Sequence, residues 1–187
     1  MTDSEVTQAK TALRSKIRAA RKSKQEGHFC EDEHDEHLVM FLADQNVRKI
    51  AAYIALDDEP CTDLLLDVCE QVGIQVLVPR VVKDDLEWAI FNWDELAEGE
   101  FGILEPVGPA EPLQVDAVLV PALAVDAAGN RLGKGRGFYD RALAELDSRV
   151  PIIALVHDEE VFEEIPHETH DLKVDYVACC TGVHKLD

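Results

Sequence analysis

Five short apolar runs limit what this chain can fold into. KIAAYIAL at residues 49–56, IQVLV at 74–78, DAVLV at 116–120, IIALV at 152–156 and YVACC at 176–180 carry no charge beyond a first residue. A strand with one wet face alternates apolar and polar residues, whereas an unbroken apolar run suits a strand covered on both faces, as in a parallel sheet. Between the first two runs lie a turn of Asp57, Asp58, Glu59 and Pro60, an N-cap candidate Thr62, a helix pattern over 63–72 and a closing Gly73. This strand, helix, strand order predicts a βαβ unit. The fold class expected is α/β, a mostly parallel sheet with helices on both faces, and 187 residues at 47% hydrophobic content are read as a single domain over 1–187. Pro79 is expected to end the second strand. Residues 86–93 read as a strand with two dissimilar faces, 100–112 as a long loop, 138–146 as a helix, 158–165 as an acidic helix and 176–180 as the last strand.

Residues 126–141, DAAGNRLGKGRGFYDR, are the densest chemical feature. Gly133, Gly135 and Gly137 alternate with Lys134 and Arg136, directly before a helix pattern opening at Phe138, Tyr139 and Asp140. Glycines let backbone N–H groups converge on an anion, and a following helix would add its positive end. An ordinary glycine-rich turn is the alternative. Residues 129–134 spell G-x-x-x-G-K, one residue short of the P-loop, and Phe138 stands where the dinucleotide fingerprint needs glycine. The loop is therefore a phosphate cradle of another design, or only a turn.

Charge sharpens this. The net charge is −20, and eleven of the 18 Lys and Arg fall within residues 1–24 and 131–141. An acidic body with two basic islands disfavours nucleic acid and anionic membrane but suits a small polyanion. Along the first helix, apolar Val6, Leu13, Ile17 and Ala20 form a stripe. At about 100° per residue, Lys10, Arg14 and Arg21 project along its border, while Arg18, Lys22 and Lys24 read as solvated. A merely solvated basic helix is the competing description. His28, Cys30, His34 and His37 lie in an acidic segment without a second well-spaced ligand pair, and H-E-T-H at 167–170 is one residue short of the zinc protease pattern, so metal hydrolysis is set aside. Five cysteines without C-x-x-C spacing, and no apolar run of about 18 residues, predict reduced thiols in a soluble, cytoplasmic protein.

Together these stretches resemble the 5-formyltetrahydrofolate cyclo-ligase (methenyltetrahydrofolate synthetase) family. The resemblance rests on K-x-x-x-R at Lys10 and Arg14, D-E-x-x-T from Asp58, V-P-R from Val78, G-I-x-E-P from Gly102, V-P-A-L-A-V-D leading into N-R-L-G-K-G-R-G-F-Y-D-R, and H-D-x-x-x-D from His170 to Asp175. It implies a fold akin to the sugar-phosphate isomerase and CoA transferase group, and ATP with Mg²⁺ used to turn 5-formyltetrahydrofolate into 5,10-methenyltetrahydrofolate. Carried over by position, it implies nucleotide contacts from Lys10, Arg14, Arg131, Leu132, Gly133, Lys134, Gly135, Arg136, Gly137, Phe138 and Tyr139. Lys134, Arg136 and Tyr139 form the implied catalytic set. Ile54, Glu59, Phe138 and Tyr139 would meet folate, and Asp140, helped by Asp171 or Asp175, would hold the metal. Arg136 and Phe138 depart from the small residue and the Tyr common among relatives. The expected partners are reduced folate and ATP, with a monomer or weak dimer as the assembly. A folate- or nucleotide-binding protein without turnover, and an ATP-independent sugar-phosphate isomerase or transferase, are the competing functions.

Overall fold

The computed structural model describes residues 2–24, 33–99, 102–144, 146–169 and 171–187. His28, Cys30 and His170, and the side chain of His34, lie outside the described residues. Two helices come first, α1 (Asp3–Lys24) and α2 (Glu33–Asp44). The βαβ unit follows as β1 (Lys49–Ala51), α3 (Asp63–Val72) and β2 (Gln75–Val82). Then come β3 (Asp85–Ile90), a small hairpin of β4 (Leu96–Glu98) and β5 (Leu104–Pro106), and β6 (Ala117–Pro121). β7 (Ala124–Asp126) leads into the glycine-rich stretch, along which come β8 (Arg131–Leu132) and α4 (Phe138–Ala142). The chain closes with β9 (Ile152–Leu155), β10 (Val161–Phe162), β11 (Tyr176–Cys179) and β12 (Gly182–Lys185).

The main sheet has the order β12-β11-β9-β6-β1-β2-β3. Its five inner strands are parallel, and β3 and β12 pair antiparallel at the two edges. Successive residues of the apolar runs face opposite sides. Ile50, Val76, Leu119, Ile153 and Ala178 pack with Leu38, Leu42, Leu65 and Leu66 from α2 and α3. Ala51, Leu77, Val118, Ala154 and Val177 pack on the other side with Tyr139, Leu143 and apolar residues of the connecting loops. Both faces are thus dry, as unbroken runs require, although one face is covered by loops and the short α4 more than by helices. α1 packs on a second sheet of order β10-β7-β8, through Leu13 and Ile17 against Leu123, Leu132 and Ile165.

Several expectations change. β2 continues through Pro79 instead of stopping there. Leu77 O bonds Ala52 N while Val76 O bonds Phe91 N, so odd positions face β1 and even ones face β3. The missing N–H of Pro79 therefore points to the side that β1 has already left, which is where a strand tolerates proline. The helix after the glycines is five residues long, because Leu143 turns into the core. Residues 158–165 form no α-helix. A 3-10 turn buries Glu160 against Arg21, and Val161 and Phe162 then join β7 as a strand. Residues 86–93 hold a strand only as far as Ile90, and β12 makes a strand beyond the one taken as last. Thr62 does not cap α3 with its side chain. Its hydroxyl donates to Tyr53 O and accepts from Ala55 N, which pins the segment after β1, while Gly73 closes α3 at φ +79 as expected. Among the described residues, Cys61, Cys69, Cys179 and Cys180 form no disulfide, and burial pushes Cys69 up to about 11. No helix among the described residues is long and apolar enough to cross a membrane.

Arg21 is the deepest of these supports. Its guanidinium donates to both oxygens of Glu160 at 2.6 Å and to the Ala122 and Asp58 carbonyls, and both charged side chains are buried. Removing one member of such a pair strands the other charge. Arg21→Ala is expected to cost about 3–5 kcal/mol of stability in urea unfolding, whereas the exposed Arg18→Ala should cost under about 1 kcal/mol.

Candidate active site

In a parallel sheet the crevice forms where the strand order reverses. Here β1 continues to β2 on one side and lies against β6 on the other, so the reversal falls between β1 and β6. A cleft of about 360 Å³ sits beyond the carboxyl ends of these strands. Tyr53, Ile54, Leu56 and Glu59 enter it after β1, Pro79 and Val81 from β2, and Pro121 from β6. The glycine stretch forms the opposite wall with Arg131, residues 133–137, Phe138, Tyr139 and Asp140.

The loop's shape is set by α1. Arg14 Nε donates to Gly133 O at 2.9 Å, and one turn on, Arg18 Nη2 donates to Lys134 O at 3.1 Å. Two guanidinium groups therefore hold the loop by its carbonyls. The matching N–H groups remain available: among the described residues, the backbone N–H of Gly133, Lys134, Gly135 and Gly137 donates no hydrogen bond within the protein. Gly135 adopts φ +103 with Arg14 Cζ 3.4 Å from where a Cβ would stand, and Gly137 adopts φ +68 with Arg141 Nη1 2.9 Å away. Both positions favour glycine for their left-handed conformation, and at Gly137 a Cβ would also have to push the end of the Arg141 side chain aside. Burial and the charge of Arg18 push the Arg14 guanidinium below its ordinary value despite Asp171, Asp140 and Glu168. An added anion would favour the charged guanidinium against that burial.

Arg131 lies beneath the loop. It donates to Pro121 O at 3.0 Å and to Asp140 Oδ1 at 3.1 Å, and its Nε–H is buried without an acceptor among the described residues. Asp140 Oδ1 also accepts from Leu172 N. Burial alone would raise the Asp140 carboxyl, but Arg131 and the Leu172 N–H outweigh it and hold the group below its ordinary range. Asp140 is thus a carboxylate facing the cleft. Burial first, then Glu59, push Tyr139 far up, and Tyr53 is raised in the same way, so both are protonated phenols. Lys134 Nζ reaches across to the other wall, 3.0 Å from Asp58 Oδ1 and 3.0 Å from Glu59 Oε1. Glu59 Oε2 accepts from Leu56 N.

The expected residues are not all brought together. Ile54, Glu59, Arg131, Gly133, Lys134, Gly135, Arg136, Gly137, Phe138, Tyr139 and Asp140 share the cleft. Arg14 stands behind it as a brace. Lys10 is buried, with its ammonium 2.6 Å from Glu168 Oε2 and 2.6 Å from Asp171 Oδ2, so Lys10 and Asp171 first of all neutralise each other. The Leu132 side chain points into the core beneath α1 and makes no part of the lining. Asp175 is a correction: it accepts from Ile152 N at the start of β9, at the amino ends of the strands, opposite to the cleft. Arg18, expected to be solvated, is a lining residue. Tyr53, Val81, Leu86, Leu104 and Glu105 also line the cleft, and only the last two lie in a stretch, G-I-x-E-P, that the sequence marks out. Among the described residues no group of three or more His, Cys, Asp or Glu side chains could hold a metal.

With this geometry in place, comparison with known proteins is decisive. The family model for 5-formyltetrahydrofolate cyclo-ligases matches residues 6–180. The chain belongs to that family. The 5-formyltetrahydrofolate cyclo-ligase of Mycolicibacterium smegmatis is 40% identical over 141 residues, 70% of this chain and 72% of that one. The Haemophilus influenzae cyclo-ligase is 28% identical over 177 residues, 89% and 95% of the two chains. Among solved structures, the NMR structure of Aquifex aeolicus 5,10-methenyltetrahydrofolate synthetase superposes with a TM-score of 0.82 at 27% identity, covering 95% of this chain and 92% of that one. Cyclo-ligase membership agrees with an α/β sheet whose cleft joins a cationic glycine loop to an apolar, carboxylate-bearing wall.

The Asp140 carboxyl offers a pH test. Its depressed value contributes stability above the unfolded carboxyl value near 3.8, and that contribution is lost as pH falls through the folded value. In Arg131→Gln the burial remains while the cation is gone, so the Asp140 titration followed by carboxyl NMR should move upward, and the acid-side loss of stability should begin at higher pH. An unmoved titration would show that Leu172 N–H alone holds the carboxylate.

Proposed function

We propose that this cleft carries out the ligase reaction of the cyclo-ligase family, the ATP-dependent conversion of 5-formyltetrahydrofolate to 5,10-methenyltetrahydrofolate with release of ADP and phosphate. The observation that carries the reading is one cleft with two unlike walls. One wall presents unengaged loop N–H groups among Lys134, Arg131 and Arg14, suited to phosphate. The other presents Ile54, Leu56, Pro79 and Leu86 around the buried Glu59, suited to a flat heterocycle with N–H donors.

An N-formyl oxygen is a poor leaving group. In the proposed sequence it attacks the γ-phosphorus of ATP, the bond from phosphorus to the ADP oxygen breaks, and ADP departs. The neighbouring folate amine then attacks the activated carbon. The carbon–oxygen bond breaks, phosphate leaves with its electron pair, and the amine proton passes to phosphate or solvent. Residues 133–137 orient the transferred group with Lys134 and Arg136, while Arg14 and Arg18 keep the loop rigid, which is where positioning supplies rate. Tyr139, protonated throughout, is a donor or a packing surface and not a base. Glu59 receives the pterin N–H groups.

Magnesium fits this site only with help from the nucleotide. Asp140 supplies one ionised hard oxygen beside the loop, and magnesium characteristically takes one or two carboxylates with phosphate oxygens completing its shell. When bound there it would neutralise phosphate charge. Asp171 could join only by leaving Lys10, which would free that ammonium for phosphate.

The test is to mix the protein with 5-formyltetrahydrofolate, ATP and magnesium and follow the methenyl absorbance. Product should require all three components. Lys134→Ala and Asp140→Asn should each lower turnover by roughly a hundredfold, with melting temperature changed by only a few degrees. Product formed equally well without ATP would sink the mechanism, and parallel loss of stability and activity would make these two residues structural.

A further inference from the structure

The contact that joins the two walls bears on how the two substrates bind. Lys134 belongs to the phosphate loop, yet its ammonium lies 3.0 Å from Glu59 Oε1 and 3.0 Å from Asp58 Oδ1. Glu59 is nearly buried, whereas Asp58 is half-exposed and stands outside the cleft lining. Both acids are held in place by other bonds. Arg21 fixes the Asp58 carbonyl at 3.1 Å, and Leu56 N fixes the second Glu59 oxygen at 3.0 Å. Lys134 is itself anchored through its carbonyl by Arg18. The Asp58 backbone, the Lys134 backbone and the Glu59 carboxylate are thus fixed, and the most flexible part is the lysine stem, with several rotatable bonds.

We infer that the Lys134 ammonium exchanges between the Asp58–Glu59 carboxylate pair and nucleotide phosphate, so that reduced folate bound at Glu59 promotes the binding of ATP. The inference rests on the functional reading above, in which Glu59 meets the pterin and the loop meets phosphate. An ammonium flanked by two carboxylates is already neutralised, and a phosphate must displace them to gain it. Pterin N–H groups arriving at Glu59 supply that carboxylate with new donors and release its hold on the lysine. The ammonium then has one competitor, Asp58, instead of two, and turns more readily to phosphate. By linkage, ATP strengthens folate binding by the same factor. Asp58 is a positioning residue in this scheme. It touches neither substrate and acts through Lys134, setting how much nucleotide binds before folate arrives.

The experiment is calorimetric titration of a non-hydrolysable ATP analogue with magnesium into the full-length protein, with and without saturating 5-formyltetrahydrofolate. In the wild type, folate should tighten nucleotide binding by roughly fivefold or more. Asp58→Asn preserves the shape of a half-exposed turn residue, and it should tighten nucleotide binding several-fold without folate, shrink the folate effect, and lower KM for ATP while kcat holds. The same pair of titrations in Lys134→Gln separates the contact from a general gain of positive potential, because Asp58→Asn should then change nucleotide affinity much less. Independent binding of the two ligands to the wild type would overturn the inference and leave the enzymatic reading intact. So would an Asp58→Asn effect of equal size with and without Lys134. Failure of the wild type to bind either ligand would remove the functional reading and this inference with it.

Discussion

One helix face holds the site together. Lys10, Arg14, Arg18 and Arg21 recur every three or four residues along α1, and each makes a different long-range bond. Lys10 meets Glu168 and Asp171, Arg14 and Arg18 take the carbonyls of Gly133 and Lys134, and Arg21 locks onto Glu160, Ala122 O and Asp58 O. Among the described residues, Leu13 and Ile17 carry its apolar contact with the second sheet, so the helix is docked by cations as well as by apolar side chains. A loop with glycines at φ +103 and +68 has little internal reason to keep one shape. The guanidinium groups impose that shape from outside through the carbonyls, while the N–H groups of Gly133, Lys134, Gly135 and Gly137 find no acceptor among the described residues.

The same arrangement explains how an acidic chain manages its cations. Four basic residues in and behind the cleft each have an acid within reach: Lys10 has Asp171, Arg21 has Glu160, Arg131 has Asp140, and Lys134 has Asp58 and Glu59. The two basic islands of the sequence therefore meet in space without making a strongly positive surface. In the proposed reading, ligand phosphate would gain affinity from the loop N–H groups and from displacing the carboxylates, more than from long-range attraction across a net charge of −20.

Much of this was legible in the residues. The unbroken runs around Ile50, Val76, Val118 and Ile153 announced a two-sided parallel sheet, because continuity of apolar character follows directly from burial on both faces. Gly73 and the βαβ unit followed from local preference. The cleft lining from Gly133 to Asp140, and Glu59 after β1, followed from spacing and from where such sheets bind ligands. What failed depended on distant partners. Residues 158–165 have helical character, but Glu160 is drawn inward by Arg21 from the far end of the chain. Pro79 ends strands only when its N side must pair, and the length of β1 decides that. Lys10 and Arg21 looked like border cations because their counter-charges at Glu168, Asp171 and Glu160 lie more than a hundred residues away. Asp175 shares a motif with Asp171, yet the three residues between them carry it to the amino end of β11, away from the cleft.

The central claim is that residues 133–137, braced by Arg14 and Arg18, form the nucleotide half of a cleft whose other half receives folate at Glu59. A crystal structure with a non-hydrolysable ATP analogue, magnesium and 5-formyltetrahydrofolate tests it most directly. The account predicts the γ-phosphate within hydrogen-bond distance of the loop N–H groups and of Lys134, with the pterin against Glu59 and the formyl oxygen facing the phosphate. Nucleotide bound away from that loop, or folate bound away from Glu59, would contradict it.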